Sequence, residues 1–386
     1  RSTPQPCQER PRGVMNRASL LPTCFGLPRG ERGRCKRTVA TQLQESWLEE
    51  LVWGVDAQRS WQVQCWLGVF PVHWRQLPDP SLLNQQIESI RTCLDGSYEE
   101  LLVAMVQDPA LQISLNGLAN HRMNPNENFA RELLELFSVG AGGFSEEDVR
   151  EAARALTGFR MNASRHLVLQ SRRHDGGLKT ILGRSDRFDP ISLVRWLTQQ
   201  PATAKHIALR VWGQVIGTLP SPGRLRQLAD SWRKQDLSLT WLMDALVTSP
   251  EADISRRMGQ KLADPLDMVC RSLRLIGSRH PDAVDVTLKG LKAMGQSPFE
   301  PPNVGGWPVN EGWLNVRWLH ARKRTLRELI RNEEIWSSRT LSDALQPSLT
   351  VRPPLTISLP APSSRDHVAR LLLDPVKNNL YQSHHH

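Results

Sequence analysis

Long apolar runs are missing. The strongest run in the 386 residues covers 101–106, far short of the roughly 18 residues a helix needs to cross a bilayer, so no transmembrane segment is expected. Metal-type cysteine spacing is missing as well. Cys7, Cys24, Cys35, Cys65, Cys93 and Cys270 form no Cys-x-x-Cys, and no Cys/His pair has zinc spacing. An even count permits disulfides, but the number is low for a fold of this length that depended on them. Cys65, Cys93 and Cys270 are expected as buried free thiols, which behave as small hydrophobes. The glycine-rich turn at 140–143 lacks the Gly-Lys-Ser/Thr ending, and no β-rich run precedes it, which excludes a phosphate loop. No sustained period-two alternation and no internal repeat stand out. No apolar leader with a small-residue cleavage site is visible, although an export signal already removed would leave no trace. The closing His384, His385 and His386 read as a tag remnant and not as a metal site.

What is present is a globular composition with an uneven charge. The formal net charge is +10, from 49 Lys+Arg against 39 Asp+Glu. Residues 1–40 hold nine of the cations (Arg1, Arg10, Arg12, Arg17, Arg29, Arg32, Arg34, Lys36 and Arg37) and two acids, Glu9 and Glu31, a surplus of seven. The remainder is close to neutral, so the high isoelectric point does not make the body a nucleic-acid binder.

Three regions follow. Residues 1–40, rich in Arg, Pro and Gly and without periodicity, read as a poorly ordered basic extension. Residues 41–335 carry helical spacing, first in Trp47, Leu48, Leu51 and Val52, then over 83–94 and 98–107. Residues 336–386 read as a Ser/Pro-rich linker with a short helix at about 366–373. Asp79-Pro80, Asp108-Pro109, Asp189-Pro190, Ser249-Pro250 and Asp264-Pro265 each set a capping residue before a proline, the pattern of a helix start. The expected fold is all-α: a single large irregular multi-helix domain with long ordered loops and flexible N- and C-terminal extensions.

Four segments could carry chemistry. Residues 124–137 read as a helix entered through Pro125, with Phe129, Leu133, Leu136 and Phe137 on its apolar face. Asn128, Arg131, Glu132 and Glu135 form a polar stripe, and Glu127, Arg131 and Glu135 stand at successive i+4 steps. The stripe is either a solvated face of Glu–Arg pairs, each worth about 0.2–0.5 kcal/mol, or a cleft wall. In a cleft, one carboxylate would be kept ionised by Arg131 and another desolvated and protonated, as an acid/base pair requires. Asn126 and Asn128 suit end-capping or ligand hydrogen bonds. The second segment, 139–158, is the flexible turn followed by a helix from Ser145 with acids in its first turn, closed by Gly158. The third, 174–183, groups His174, Asp175 and Lys179 around a Gly-Gly turn and is either a tuned base or a hydrogen-bonded loop corner. The fourth, 295–322, is a rigid Pro/Gly loop displaying Asn303 and Trp307. Its Trp either stacks on a ligand or packs the loop onto the body.

In this order the segments resemble the bacterial domain-of-unknown-function 1800 family, over about residues 45–325. The resemblance rests on 125–137, on Asp148, Val149 and 153–158, on His174-Asp175, Lys179-Thr180 and Leu182-Gly183, and on 301–304, Gly306-Trp307, 313–315 and Arg322. One stretch departs from it. Family members carry Phe-Trp-x-Asn-His-Phe upstream, whereas 65–74 reads Cys-Trp-Leu-Gly-Val-Phe-Pro-Val-His-Trp. If that histidine acts in relatives, this chain has lost the activity or uses His73 differently. The resemblance implies a helical fold, a bacterial origin and an exported or periplasmic setting, beside a phosphatase/sulfatase-like family. It implies no particular reaction or cofactor.

The residues lead to two expectations. One is a cell-envelope enzyme, a hydrolase or lyase, or a ligand-binding protein acting on a glycan or other polymer. Glu127, Arg131, Glu135, His174 and Asp175 would be its catalytic set, and Asn126, Asn128, Lys179, Asn303 and Trp307 its ligand contacts. The other is a non-catalytic accessory or assembly protein with an envelope protein partner. In it, Arg131 and Arg154 would pair with Glu132, Glu135 and Asp148 in a buried structural network. Metal binding through His174, Asp175 and the glutamates has no spacing signature behind it.

Overall fold

Local capping chemistry starts most of the helices. The computed structural model describes residues 21–252 and 262–338. Among these, helices α1 (Arg29–Trp53), α2 (Ala57–Val69), α3 (Leu82–Cys93), α4 (Tyr98–Val106), α5 (Pro109–Ser114), α6 (Asn128–Glu135) and α7 (Glu146–Ala155) come first. After α8 (Pro190–Gln199), α9 (Pro201–Val215), α10 (Pro222–Lys234) and α11 (Leu239–Val247) come α12 (Pro265–Ile276), α13 (Pro281–Ala293), α14 (Val316–Arg331) and α15 (Glu333–Ser337). The Asp-Pro pairs at 108, 189 and 264 start α5, α8 and α12, each aspartate accepting a backbone N–H in the first turn. Ser97 and Ser145 form capping boxes with Glu100 and Asp148. The helical class expected from periodicity holds.

Two small antiparallel ribbons interrupt it. Strand β1 (Phe159–Met161) pairs with β2 (Leu167–Leu169), and β3 (Lys179–Ile181) with β4 (Arg184–Asp186). At three residues each, these strands are too short to show alternation in a sequence.

The chain forms two compact units. The first comprises residues through Leu43, Gln62–Ser249 and Asn303–Gly306; the second comprises Gln44–Trp61, Pro250–Pro302 and Trp307 onward. In the first unit an aromatic cluster surrounds α4. Trp66 stacks on Tyr98 at 5.7 Å, Phe70 meets Phe137 at 5.0 Å, and the Tyr98 hydroxyl donates to the Phe137 carbonyl at 2.7 Å. In the second unit Gly290 of α13 lies so close to α14 that a Cβ there would fall 2.4 Å from Thr325 Cγ2, which holds these two helices at short range. Trp47 packs on Phe299 within the same unit.

Several expectations are corrected. Within the extension read over 1–40, the described residues 21–40 are structured, and α1 begins at Arg29. Two devices without periodicity anchor it: a Cys24–Cys35 disulfide, and buried Asp79, which accepts from Thr23 Oγ1 (2.7 Å) and from the Cys24 N–H (2.9 Å). Asp79 still accepts the Ser81 N–H on its other oxygen (3.0 Å), but α3 starts only two residues after Pro80, with Ser81 as its cap residue. Ser249-Pro250 opens a 3-10 turn at Pro250–Ala252, and the run expected to continue from it lies outside the described residues. The helix expected to enter through Pro125 starts at Asn128, because Asn126 is used in a turn, accepting from the Asn128 N–H on its side-chain oxygen. Cys93 is disulfide-bonded, whereas Cys65 and Cys270 are buried free thiols as expected. The linker and helix expected after residue 338, like residues 1–20, lie outside the described residues.

Candidate functional site

The polar stripe of α6 is resolved into pairs that sequence spacing did not select. Arg131 reaches across to the start of α7 and donates two parallel hydrogen bonds to Glu146, at 2.8 and 2.7 Å. Glu127, its neighbour one turn back, stands 3.6 Å away. The fork-to-carboxylate geometry explains the choice, since a guanidinium bonds bidentately to a carboxylate facing it edge-on. Glu146 hydrogen bonding raises the Arg131 pKa, and Arg131 in turn lowers that of Glu146. Both side chains are solvent-accessible, so the pair orients α6 against α7 more than it stabilises them.

Asn126 and Asn128 are spent on the entrance to this helix. The Asn126 N–H donates to Asn120 Oδ1 at 3.0 Å, and the Asn128 side-chain amide donates to the Leu115 carbonyl at 2.9 Å. Glu135 has no side-chain hydrogen bond or ion pair among the described residues. Its neighbour Glu132 is the carboxyl whose pKa rises, through burial first and the Glu135 charge second. The desolvated acid that the cleft reading required is therefore Glu132.

A second cluster joins α7 to the β3–β4 ribbon. Arg154 donates to Glu151 at 2.8 and 2.9 Å and to Asp175 at 2.8 Å. The Arg154 bond holds the Asp175 carboxyl below the usual carboxylate range and raises the Arg154 pKa. Asp148 accepts the Leu182 N–H at 2.7 Å, and Glu151 accepts the Thr180 N–H at 3.1 Å. The ammonium of Lys179, 1% exposed, donates to the carbonyls of Asp175, Gly177 and Phe188, the last two at 2.9 Å. Burial lowers its pKa. His174 Nδ1 lies 3.0 Å from the Thr157 carbonyl. A carbonyl only accepts, so Nδ1 is the donor in this contact. Gly158 (φ +103°) sits against this histidine, where a Cβ would come 3.0 Å from the His174 backbone nitrogen.

This cluster gives a prediction with a defined sign. Asp175 has a lowered folded pKa, so its contribution is complete above the ordinary value of 3.8 and is lost as pH falls through the lowered one. Arg154→Ala is expected to reduce stability at pH 7 by about 1–2 kcal/mol, discounted for partial exposure. It should also flatten the fall in stability below pH 4. Urea midpoints at pH 7 and pH 3 read this directly, and an unchanged difference between them would refute the assignment.

A third node was missed by sequence reasoning. Arg210 of α9 donates to the Gly68 and Val69 carbonyls at the end of α2 (3.3 and 3.0 Å) and to the Leu136 carbonyl at the end of α6 (2.8 Å). It also donates to the Gly305 carbonyl (3.0 Å). Its acceptors are backbone groups, which leave no residue-type signal. The node uses the stretch that departs from the family pattern. A Cβ on Gly306 would fall 2.8 Å from the Gly68 carbonyl, and one on Gly68 would fall 2.8 Å from Gln214 Nε2. Asn303 shapes the same loop, accepting the Gly305 N–H at 2.8 Å. His73 caps a 3-10 turn, accepting the Arg75 N–H at 3.1 Å. Trp307 belongs to the second unit, with its indole N–H buried and unbonded. Among the described residues no group of three or more His, Cys, Asp or Glu side chains is arranged to hold a metal.

The fold and these clusters define a mostly helical protein whose polar motifs tie helix ends and loops together. The chain belongs to the family described as "Protein of unknown function (DUF1800)", which matches residues 3–383. That span takes in the basic N-terminal segment as well as the 45–325 carried by the motifs. No curated protein and no solved structure matches the chain. Among the described residues no helix is long and apolar enough to cross a membrane.

Proposed function

We propose that this chain is a non-catalytic accessory or assembly protein of the cell envelope, and that its family motifs are chiefly fold-holding. The observation that carries the reading is the use of the motif side chains. Arg131, Arg154, Asp175 and Lys179 spend their charged groups on helix-to-helix or loop-closing bonds, and Asn126, Asn128 and Asn303 on turns. A catalytic group must instead point at a site a substrate can occupy. The partners differ from those expected: Glu146, Glu151 and Asp175 take the arginines, in place of Glu132, Glu135 and Asp148. The envelope setting is supported by the Cys24–Cys35 disulfide and by the disulfide at Cys93, since such bonds persist in oxidising compartments.

One observation favours the second reading, an enzyme or binding protein acting on a glycan or other polymer. Glu132 has a raised pKa beside Glu135, and opposite charge from Arg131 and Arg210 acts on it. Neighbouring carboxyls, one with its pKa raised by burial and by the other's charge, are a feature of glycoside chemistry. Glu132→Gln separates the readings. Its folded pKa is raised, so ionised Glu132 costs stability as pH rises from 4.5 through the raised value, and the amide should be neutral or slightly stabilising at pH 7. Native protein incubated with peptidoglycan sacculi and with soluble polysaccharides is expected to release no more reducing ends than Glu132→Gln does. Turnover by the native chain that Glu132→Gln abolishes would establish the second reading.

A further inference from the structure

The body outside the first 40 residues is close to neutral, yet helix α14 of the second unit concentrates positive charge on one side. Arg317, His320, Lys323, Arg324, Arg327 and Arg331 are all exposed, while Ala321, Thr325, Leu326, Leu329 and Ile330 face inward. None of the six makes a side-chain ion pair or hydrogen bond among the described residues. The acid on this outer face is Glu328. An open depression of about 540 Å³ runs along it, lined by Ala293 of α13 and by Arg317, His320, Lys323, Arg324 and Arg327. Like charges this close repel one another unless an anionic partner compensates them.

The same face carries exposed aliphatic side chains at its N-terminal end. Val316 is 73% exposed and Leu319 42%, and Leu314, just before the helix, is 61% exposed. At 100° per residue, Val316 falls between Lys323 and Arg327 on the outer arc and Leu319 at its edge. The apolar and cationic groups therefore meet one surface together. Nucleic acid would satisfy the cations alone. Single-stranded chains are held by aromatic side chains interleaved with cations, whereas the aromatic residue at this end, Trp318, is turned against Gly295 and Trp313. A leaflet of anionic phospholipid satisfies both sets, with phosphates for the cations and acyl boundary for the aliphatics.

We propose that this face of α14 docks on an anionic phospholipid surface. Leu314, Val316 and Leu319 enter the headgroup boundary, and Arg317, Lys323, Arg324 and Arg327 contact the lipid phosphates. The proposal is independent of whether Arg131, Arg154, Asp175 and Lys179 are structural or catalytic, because none of these side chains lies on α14.

The test is co-sedimentation of the full chain with vesicles of phosphatidylcholine containing about 30% phosphatidylglycerol, against pure phosphatidylcholine, at about 0.1 M salt. Binding to the anionic vesicles is expected to be at least about tenfold stronger. Arg317→Glu/Arg324→Glu/Arg327→Glu should weaken it by more than about tenfold, since each basic residue near such a leaflet is worth about fivefold. Val316→Ser/Leu319→Ser, at unchanged charge, should weaken it several-fold. These side chains are exposed, so circular dichroism melts should match the native chain. The triple exchange to glutamine, which removes three charges without reversing them, provides a second reading if the glutamate variant does not fold. Unaltered binding by either charge variant would assign the attraction to the basic N-terminal segment and overturn the proposal. So would a duplex oligonucleotide bound with the same arginine dependence while vesicle binding ignores the serine pair.

Discussion

Replacing Arg210 by methionine is expected to lower the free energy of unfolding by about 3–5 kcal/mol, the range for stripping a buried charged donor from its acceptors. The reason lies in what the guanidinium faces. Gly68 and Val69 end α2 and Leu136 follows α6, so three of the four carbonyls it binds sit where a helix leaves its last acceptors unpaired. Both helix ends also carry partial negative charge. Two dipole ends thus replace the carboxylate that a largely enclosed arginine normally requires. Burial lowers the Arg210 pKa, while Tyr98 and Glu132 act in the opposite direction. Methionine keeps much of the length and fills the space, but leaves all four carbonyls without this donor. Lysine, with three donors for four acceptors, should recover part of the loss. The fourth bond, to Gly305, predicts a local signature: amide exchange at 303–306 should accelerate in Arg210→Met by more than the global destabilisation explains. Equal urea midpoints for the native chain and Arg210→Met would show that the carbonyls find other partners and that this node does not hold the loop.

The helices were legible where the signal is local. An Asp-Pro pair reports a helix start because the cap and the proline act within one turn, and α5, α8 and α12 follow it. The same logic placed the start too early at Asp79, one of whose oxygens is taken by Thr23 and by Cys24, 55 residues away, and at Pro125, where Asn126 forms a competing turn. The first turns of α1 were illegible for a different reason. Residues 29–38 are mostly exposed and show no apolar period, and their anchor is a disulfide whose pairing no spacing reveals. Most of the core signal in α1 begins only at Val39, Ala40 and Leu43.

The candidate site was legible as a set of residues but not as a set of pairs. Helical spacing correctly placed Glu127 within reach of Arg131. It could not reveal that Glu146, on the far side of a glycine-rich turn, offers the better-oriented carboxylate. Arg210 left no trace because its partners are carbonyls, which every residue carries. Net charge misled in a similar way: a body near neutrality still concentrates unpaired cations on α14, because its acids lie elsewhere. What a composition averages, a helix face separates.

Lys179→Met is the second large effect expected, again about 3–5 kcal/mol, for an ammonium whose bonds are complete. Three N–H donors meet three carbonyls, those of Asp175, Gly177 and Phe188, with no donor left over. The bonds close the loop from Asp175 to Phe188 around the β3–β4 ribbon, and Ile181 and Phe188 are buried in the same stretch. Methionine matches the stem but donates nothing, so three carbonyls in a poorly solvated place lose their partner together. The loss should appear as a lower urea midpoint and as new proteolytic cutting within 174–188, because this side chain bonds carbonyls at both ends of the loop. Arg154→Ala should add less than its separate cost to Lys179→Met, since both act on the Asp175 corner and are coupled through it. The competing role for Lys179, a ligand-contacting amine, makes the opposite forecast: Lys179→Met would keep its stability and proteolytic pattern and lose only binding. The near-complete burial of the ammonium is the physical ground for expecting the fold, and not a ligand, to register the substitution.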